Sequence, residues 1–402
     1  MFWLSVLGLS ILLLIWSKGL VDVLCGATYP AQWRLADSTA FDADGDDWPL
    51  VSILIPARNE AENIERCIRS IMRLNWPEPL QIIVINDNST DNTGEILERL
   101  GHEIDTLTII EGVALPDGWL GKPHALHVGQ QAALGRWLWF IDADVVVKPN
   151  GLRLLYEATQ REGAQISSAL GQLDTQSFWE RVIQTRIAAL ISGANPLIQV
   201  NDPDHERALA NGQCIFVSRS AYDQLGGHYA IRQSVLDDVD LAKRAKQRQI
   251  PYRLFYGPGI FRCRMYTGFR QIWDGWSKNL FPALEYKISA TIIIAAGVFC
   301  ISVLPFLLLF KNLWAYWIGA PFEPTFLMIE AALCGVILIT DAIGHYKEGY
   351  RWTYAWSLPL AMTLVIGMFV NSAWRIVSGR GTAWKGRIVS TRSTQHDRTA
   401  DD

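Results

Sequence analysis

The chain has 402 residues, of which 50% are hydrophobic and 17 are Trp, and its formal net charge is −4. It is too long for one small domain and too apolar for an ordinary soluble one, so a membrane protein is the leading class. The near-balanced charge carries no global signal for nucleic acid.

Residues 2 to 24, FWLSVLGLSILLLIWSKGLVDVL, are long enough to cross a bilayer and are interrupted only by Lys18 and Asp22 near the far end. They predict an N-terminal transmembrane anchor over 1–24. A cleaved signal peptide would want a basic start and a small-residue cleavage site. Residues 25–49 follow as an acidic, turn-rich linker that ends DSTAFDADGDDWP. The cysteines Cys25, Cys67, Cys214, Cys263, Cys300 and Cys334 lack any CxxC or metal-type spacing, which predicts reduced thiols rather than a disulfide framework.

From residue 50 the pattern alternates as in an α/β domain, expected over 50–260. LVSILIP at 50–56 reads as a strand, and EAENIERCIRSIMRL from Glu60 as a helix with Ile64, Ile68 and Ile71 on one face. QIIVIND is a second strand, DNTGEILERL a second helix and TLTIIEG a third strand. A helix over Lys122 to Ala133 and a fourth strand, WLWFIDADVVV at 137–147, complete the run. Short parallel strands with helices between them predict a twisted sheet covered on both faces.

Ligands of such sheets sit beyond the carboxyl ends of the strands. The polar residues collect there: Pro56-Ala57-Arg58-Asn59-Glu60, Asn86-Asp87-Asn88-Ser89 and Asp142-Ala143-Asp144. In an extended segment Asp142 and Asp144 would point the same way, and two carboxylates suit Mg²⁺ or Mn²⁺ held on a substrate diphosphate. Taken alone, a DxD is equally a structural turn. No GxGxxG follows the first strand and no GxxxxGK[ST] occurs, which removes the dinucleotide-binding dehydrogenases and the P-loop class.

Residues 261–286 mix Arg262, Arg264, Arg270 and Lys278 with Trp and Phe, as in an amphipathic helix lying in the membrane interface. The region 287–374 holds candidate spans near 288–310, 326–343 and 354–373, giving two or three crossings, and 375–402 is a basic tail. Lys18 and Arg34 put the globular part on the cytoplasmic side, and the basic tail wants the same side. Three full spans would place the tail outside. One span is therefore expected to be interfacial or re-entrant, and 326–343, bracketed by Glu330 and Asp341, is the shortest.

PARNEAENI at 56–64, NDNSTDNT at 86–93, GWLGKPHAL at 118–126, DAD at 142–144 and LDDVDLAKR at 236–244 resemble, in order, the signature of family 2 inverting glycosyltransferases with the GT-A fold. LPDGWLGK together with GWSKN at 275–279 resembles the bacterial branch that glycosylates hopanoids and carotenoids. The resemblance implies a Rossmann-like nucleotide-diphospho-sugar transferase domain between the N-terminal anchor and the C-terminal transmembrane helices. It implies that Glu60 and Asp87 contact base and ribose beside a wall of Pro56, Ala57 and Arg58. Lys122 would lie near the diphosphate, with Asp142 and Asp144 on a divalent metal. Asp238 falls at the catalytic base, with Asp237 in place of the usual glutamate. Asp237, Gln213 and Trp276 would lie on the acceptor side, and Asp142 would also face the nucleotide. The (Q/R)xxRW motif of many members is missing: Arg264-Met265-Tyr266 and FRQIWDGWSKNLF stand there instead. The implied function is inverting transfer of one sugar, from UDP-glucose, to a hydroxyl of a membrane lipid such as a carotenoid or hopanoid, by a multi-pass protein of the cytoplasmic membrane. The alternatives are a processive polysaccharide synthase and a non-catalytic nucleotide-sugar-binding protein.

Overall fold

The computed structural model describes residues 2–36, 48–380, 382–384 and 387–389. Residues 37–47 of the acidic linker and most of the basic tail lie outside the described residues. The chain forms two compact units: Tyr29–Asp174 with Asn195–Met265, and Met1–Thr28 with Thr175–Ala194 and Tyr266–Asp402. The α/β domain expected as one run over 50–260 is thus discontinuous, because residues 175–194 group with the helical unit.

The α/β unit holds strands β1 (Val51–Ala57), β2 (Leu80–Asn86), β3 (Leu107–Glu111), β4 (Trp137–Phe140), β5 (Val145–Val147), β6 (Ile166–Leu170), β7 (Gln172–Leu173), β8 (Ile215–Ser218), β9 (Tyr252–Tyr256) and β10 (Phe261–Cys263). Seven of them form one sheet in the order β3-β2-β1-β4-β8-β6-β9, and β5-β10-β7 form a second. The large sheet is mixed rather than wholly parallel: β8 runs antiparallel to both β4 and β6.

Alternation along the strands explains why both faces are covered. Val51, Ile53, Ile55, Ile82, Val84, Trp139 and Phe216 point to one face, where they meet Ile64, Ile68, Leu97, Leu100, Leu152 and Leu155 of three helices. Leu54, Ile83, Ile85, Leu138, Phe140, Ile215 and Val217 point to the other, against Ala125, Leu126, Tyr222, Leu225, Leu241 and Ala245.

Two local expectations need correction. The helix expected from Glu60 begins at Ile64. Asn59 takes a left-handed φ of 53°, and the Glu60 N–H donates to Thr93 Oγ1 at 2.8 Å rather than to a helical turn. The single strand expected over 137–147 is two, β4 and β5, which belong to different sheets. Between them the chain turns, and the Val145 N–H donates to Asp142 O at 3.2 Å. Asp142 and Asp144 are therefore arranged by a turn, not by the pleat of a strand.

In the helical unit, Val6–Cys25, Pro324–Lys347 and Trp352–Val377 are long and apolar enough to cross a membrane, and Phe269–Ala283 with Ile288–Ser302 would make a fourth span bent by 120°. The expectation that 326–343 is the short segment fails on its length, since Pro324–Lys347 is a helix of 24 residues. The interruption falls in the 288–310 candidate, which breaks at Val303 into Ile288–Ser302 and Leu304–Trp317. Polar groups pin these helices: Lys347 Nζ donates to Val23 O at 2.8 Å and Leu24 O at 2.6 Å, satisfying carbonyls at the end of the first helix. Asn312 donates to Glu330 at 2.8 Å, both buried.

Candidate active site

Strands β1 to β4 run parallel to one another, so their carboxyl ends share one edge of the sheet. Antiparallel β8 brings its amino end, and residues 211–214 before it, to that same edge. The first two strand ends are joined directly. The Asp87 N–H donates to Ala57 O at 2.7 Å, and Arg58 Nη1 donates to Asp87 O at 2.7 Å and Asn88 O at 3.1 Å. Pro56, Ala57 and Arg58 thereby form one rim with Asp87, which is buried. Glu60 stands beside it and accepts from Asn63 Nδ2 at 3.0 Å.

The charge centre is built around Lys122, in the first turn of the helix Gly121–Gly129. A cation is disfavoured at a helix N-terminus, and nearby carboxylates compensate. Lys122 Nζ lies 2.7 Å from Asp142 Oδ1 and 3.8 Å from Asp237 Oδ2. Burial works against its charge, but Asp142, Asp237 and Asp238 outweigh that and hold the ammonium well above the ordinary lysine range. Lys122 and Asp142 side chains each remain about one-third exposed, 32% and 31%.

Asp237 and Asp238 open the helix Asp237–Gln247. Asp237 Oδ2 is buried and accepts no hydrogen bond. Asp238 Oδ2 accepts from the Gly212 N–H at 2.7 Å and its Oδ1 from the Val239 N–H at 2.8 Å. Burial first, and then the Asp237 charge, push the Asp238 carboxyl up to about 6, against Lys122 and those two N–H donors. Gly212 lets the backbone approach both charges closely: a Cβ there would lie 2.8 Å from Lys122 Nζ and 3.3 Å from Asp238 Oδ2 and would displace the ammonium.

Asp144 meets the Cys263 thiol, which hydrogen-bonds its carboxylate. Cys67 Sγ lies 3.8 Å from Asp142 O. Burial first, then the Asp144, Asp142 and Glu60 charges, hold both thiols protonated, well above the ordinary cysteine range. Sequence reasoning missed Cys263, a lone cysteine in a short strand with no spacing signal.

Gln213, expected on the acceptor side, is buried, and its amide is committed: Nε2 donates to Cys263 Sγ at 3.0 Å and Oε1 accepts from Asn211 Nδ2 at 3.4 Å. Trp276 belongs to the helical unit, where its Nε1 donates to Gln184 Oε1 at 3.2 Å and its ring lies edge-on to Tyr266 at 6.4 Å. The structure thus brings Lys122, Asp142, Asp237 and Asp238 together around one cation.

Among the described residues no group of three or more His, Cys, Asp or Glu side chains is arranged to hold a metal ion by itself. Two hard carboxylates, one of them a third exposed, are instead the donor set Mg²⁺ or Mn²⁺ accepts when phosphate oxygens and water fill the remaining positions. The pair fits a metal held jointly with a diphosphate.

The family description Glycosyl transferase family 2 matches residues 52–226, which include β1 to β4, Lys122, the DxD turn and Gln213 but end before Asp237. The 4,4'-diaponeurosporenoate glycosyltransferases of Staphylococcus aureus strains bovine RF122 / ET3-1 and USA300 are each 27% identical over 234 residues, 57% of this chain. The match spans 60% of the length of these relatives. Among solved structures, the mannosyltransferase PcManGT from Pyrobaculum calidifontis, in complex with GDP-Man and Mn²⁺, is similar at 16% identity and a TM-score of 0.49, over 91% of this chain and 99% of that one. S. aureus TarS 1–349 in complex with UDP-GlcNAc is similar at 13% identity and a TM-score of 0.39, over 83% and 93%. The doubly covered mixed sheet agrees with the α/β, Rossmann-like expectation, and residues 52–226 match the glycosyl transferase family 2 model.

Proposed function

We propose that the chain transfers one sugar, with inversion, from a nucleotide sugar to a membrane lipid of the carotenoid or hopanoid type. The observation that carries this reading is the shared charge centre. Lys122 is bound by Asp142 and faces Asp237, while Asp238 beside them is raised to about 6. A carboxylate with that affinity for protons is a stronger base than an ordinary aspartate and is still ionised near neutral pH.

In this reading Asp238 takes the proton of the acceptor hydroxyl as its oxygen forms a bond to the anomeric carbon. On the opposite face the anomeric carbon–phosphate oxygen bond breaks, and the nucleoside diphosphate leaves with the electron pair. Lys122 faces the charge that develops on it. Asp142 and Asp144 would hold Mg²⁺ or Mn²⁺, which would supply charge neutralisation for the diphosphate. Pro56, Ala57, Arg58, Glu60 and Asp87 serve the nucleoside, and UDP is taken as its identity. Asp237 helps to keep Lys122 charged and, by its own negative charge, raises the proton affinity of Asp238. Trp276 is assigned to the acceptor side on the aromatic and basic character of its helix. The helices long enough to span a bilayer support a membrane-integral protein, with the catalytic domain on the cytoplasmic side by the Lys18 and Arg34 pattern.

The relatives are named for diaponeurosporenoate, a carboxylate, so the chemistry of the acceptor oxygen belongs in the test. Membranes containing the full chain are supplied with labelled UDP-glucose, Mn²⁺ and carotenoid or hopanoid lipids, with Asp144→Asn and Asp238→Asn alongside. Label in the organic phase that disappears in both variants and with a chelator supports the reading. Mild alkali then separates a glycosyl ester, which it cleaves, from a glycoside, which it does not. Label only in an insoluble polymer replaces it with a polysaccharide synthase, and donor binding without turnover under every lipid replaces it with a binding protein.

A further inference from the structure

The segment Asn211-Gly212-Gln213 touches Asp238 directly and reaches Asp144 through one intervening side chain, Cys263. Gly212 donates its N–H to Asp238 Oδ2 at 2.7 Å. The next residue, Gln213, donates Nε2 to Cys263 Sγ at 3.0 Å, and the Cys263 thiol hydrogen-bonds Asp144. Register puts these groups together independently of that bond: β10 pairs antiparallel with β5, and Cys263 lies opposite Val145, the residue after Asp144.

The direction of each bond matters. A thiol has one proton and a weakly accepting sulfur. Because Gln213 supplies the proton to sulfur, the thiol's own proton remains for the Asp144 carboxylate. The segment is itself fixed to the sheet. The Asn211 N–H donates to Ser168 Oγ at 2.8 Å, Asn211 Nδ2 to Ala169 O at 3.1 Å, and the Gln213 N–H to Asn211 Oδ1 at 3.2 Å. Cys263 and Gln213 are almost fully buried, at 1% and 5% exposure, so water does not compete for these bonds.

We infer that Gln213 and Cys263 form a positioning relay that orients Asp144, and that the 211–213 segment sets the metal-side aspartate and the proposed base Asp238 from one rigid support. Neither side chain of the relay touches substrate; both act through Asp144. Groups that orient a metal-binding carboxylate change metal affinity by about 10- to 100-fold when removed. The inference rests on the assignment of Asp144 to a metal held with the nucleotide.

The test reads metal binding rather than turnover. Full-length protein in detergent is titrated with Mn²⁺ in the presence of UDP, and free Mn²⁺ is followed by electron paramagnetic resonance. Cys263→Ala, which deletes the donor, is expected to weaken binding about 10-fold. Cys263→Ser, which keeps one, stays within about threefold of the parent, the scale of one altered hydrogen bond. Gln213→Leu, which frees the thiol rotor, falls between them. Wild-type affinity in both Cys263→Ala and Gln213→Leu overturns the relay, as does equal weakening in Cys263→Ala and Cys263→Ser, which would mark packing instead. If Cys263→Ala shows no thermal unfolding transition, Gln213→Leu decides by the same criteria. Absence of Mn²⁺ binding in the parent chain overturns the metal assignment itself and the relay with it.

Discussion

Lys122 Nζ and Asp142 Oδ1 are 2.7 Å apart, and the same ammonium faces Asp237 Oδ2 at 3.8 Å, so one cation holds together a carboxylate from the DxD turn and one from the start of a helix almost a hundred residues later in the chain. Lys122 also pulls the Asp238 carboxyl down from where burial and Asp237 would leave it. Transfer is expected to fall as pH drops through about 6, where Asp238 becomes protonated and can no longer accept the hydroxyl proton. Lys122→Met removes the counter-charge, so the acid limb moves to higher pH, and the rate at pH 8 drops by about 100-fold. Lys122→Arg keeps the charge and leaves the limb in place. A pH–rate profile of the three proteins checks this; an unmoved limb in Lys122→Met would show that Asp238 is not the titrating base.

Gly212→Ala isolates geometry from stability. The added Cβ would meet Lys122 Nζ at 2.8 Å and Asp238 Oδ2 at 3.3 Å. The first of these is the tip of a flexible side chain that can swing away, so the unfolding midpoint should move by less than about 1 kcal/mol equivalent. The cost falls on the site, because Lys122 can yield only by leaving Asp142 or Asp237. Transfer should decline by about 10- to 100-fold with the fold intact by circular dichroism. A parent-like rate would mean that the close approach at Gly212 is irrelevant to function.

The sequence made the strands of the α/β unit legible because β1, β2 and β4 are short, almost wholly apolar runs bounded by polar clusters, too short for buried helices and fitted to a sheet covered on both faces. It also brought Lys122, the DxD and Asp238 to attention. It misled where tertiary context overrides local pattern. Asp142 and Asp144 follow strand-forming residues, yet the carbonyl of Asp142 accepts from Val145 and the chain turns into a second sheet. The amide of Gln213 looked free for an acceptor, but a cysteine 50 positions away claims it. No periodicity announces a long-range hydrogen bond to a single thiol, and none announces that residues 175–194 leave the α/β unit.

Asp238→Asn should abolish transfer and stabilise the protein. A carboxyl raised from 3.8 to about 6 in the folded state binds its proton more tightly than in the unfolded chain. Its favourable contribution is complete below pH 3.8 and is lost as pH rises through about 6, so at pH 7 to 8 the ionised group opposes folding. The shift corresponds to at most about 3 kcal/mol, reduced because Asn accepts less strongly from the Gly212 and Val239 N–H groups. Differential scanning calorimetry at pH 8 and pH 4 should therefore show Asp238→Asn above the parent at the higher pH and level with it at the lower. A variant less stable than the parent at pH 8 would contradict the raised carboxyl.

The helical unit offers a separate test at Arg186 and Asp341. Arg186 Nη2 lies 2.9 Å from Asp341 Oδ2, with side-chain exposures of 1% and 8%. The guanidinium also donates to Val182 O at 2.9 Å, Arg181 O at 3.1 Å and Tyr354 O at 2.8 Å. Val182 and Arg181 sit in the π-turn Glu180–Gln184, whose wider winding leaves carbonyls for a side chain to satisfy. Arg186→Ala would strand a buried carboxylate and several carbonyls together, and a loss of about 3 to 5 kcal/mol is expected. Asp341→Leu alone strands the guanidinium and should cost a similar amount. Replacing both, Arg186→Met with Asp341→Leu, removes the two charges at once, and most of the loss should return, since a buried ion pair contributes little beyond its own desolvation. Thermal unfolding in detergent of the two single variants and the double variant decides it. Single variants within 1 kcal/mol of the parent would show that water reaches this pair, and losses that simply add in the double variant would show that Arg186 and Asp341 act through their other partners rather than through each other.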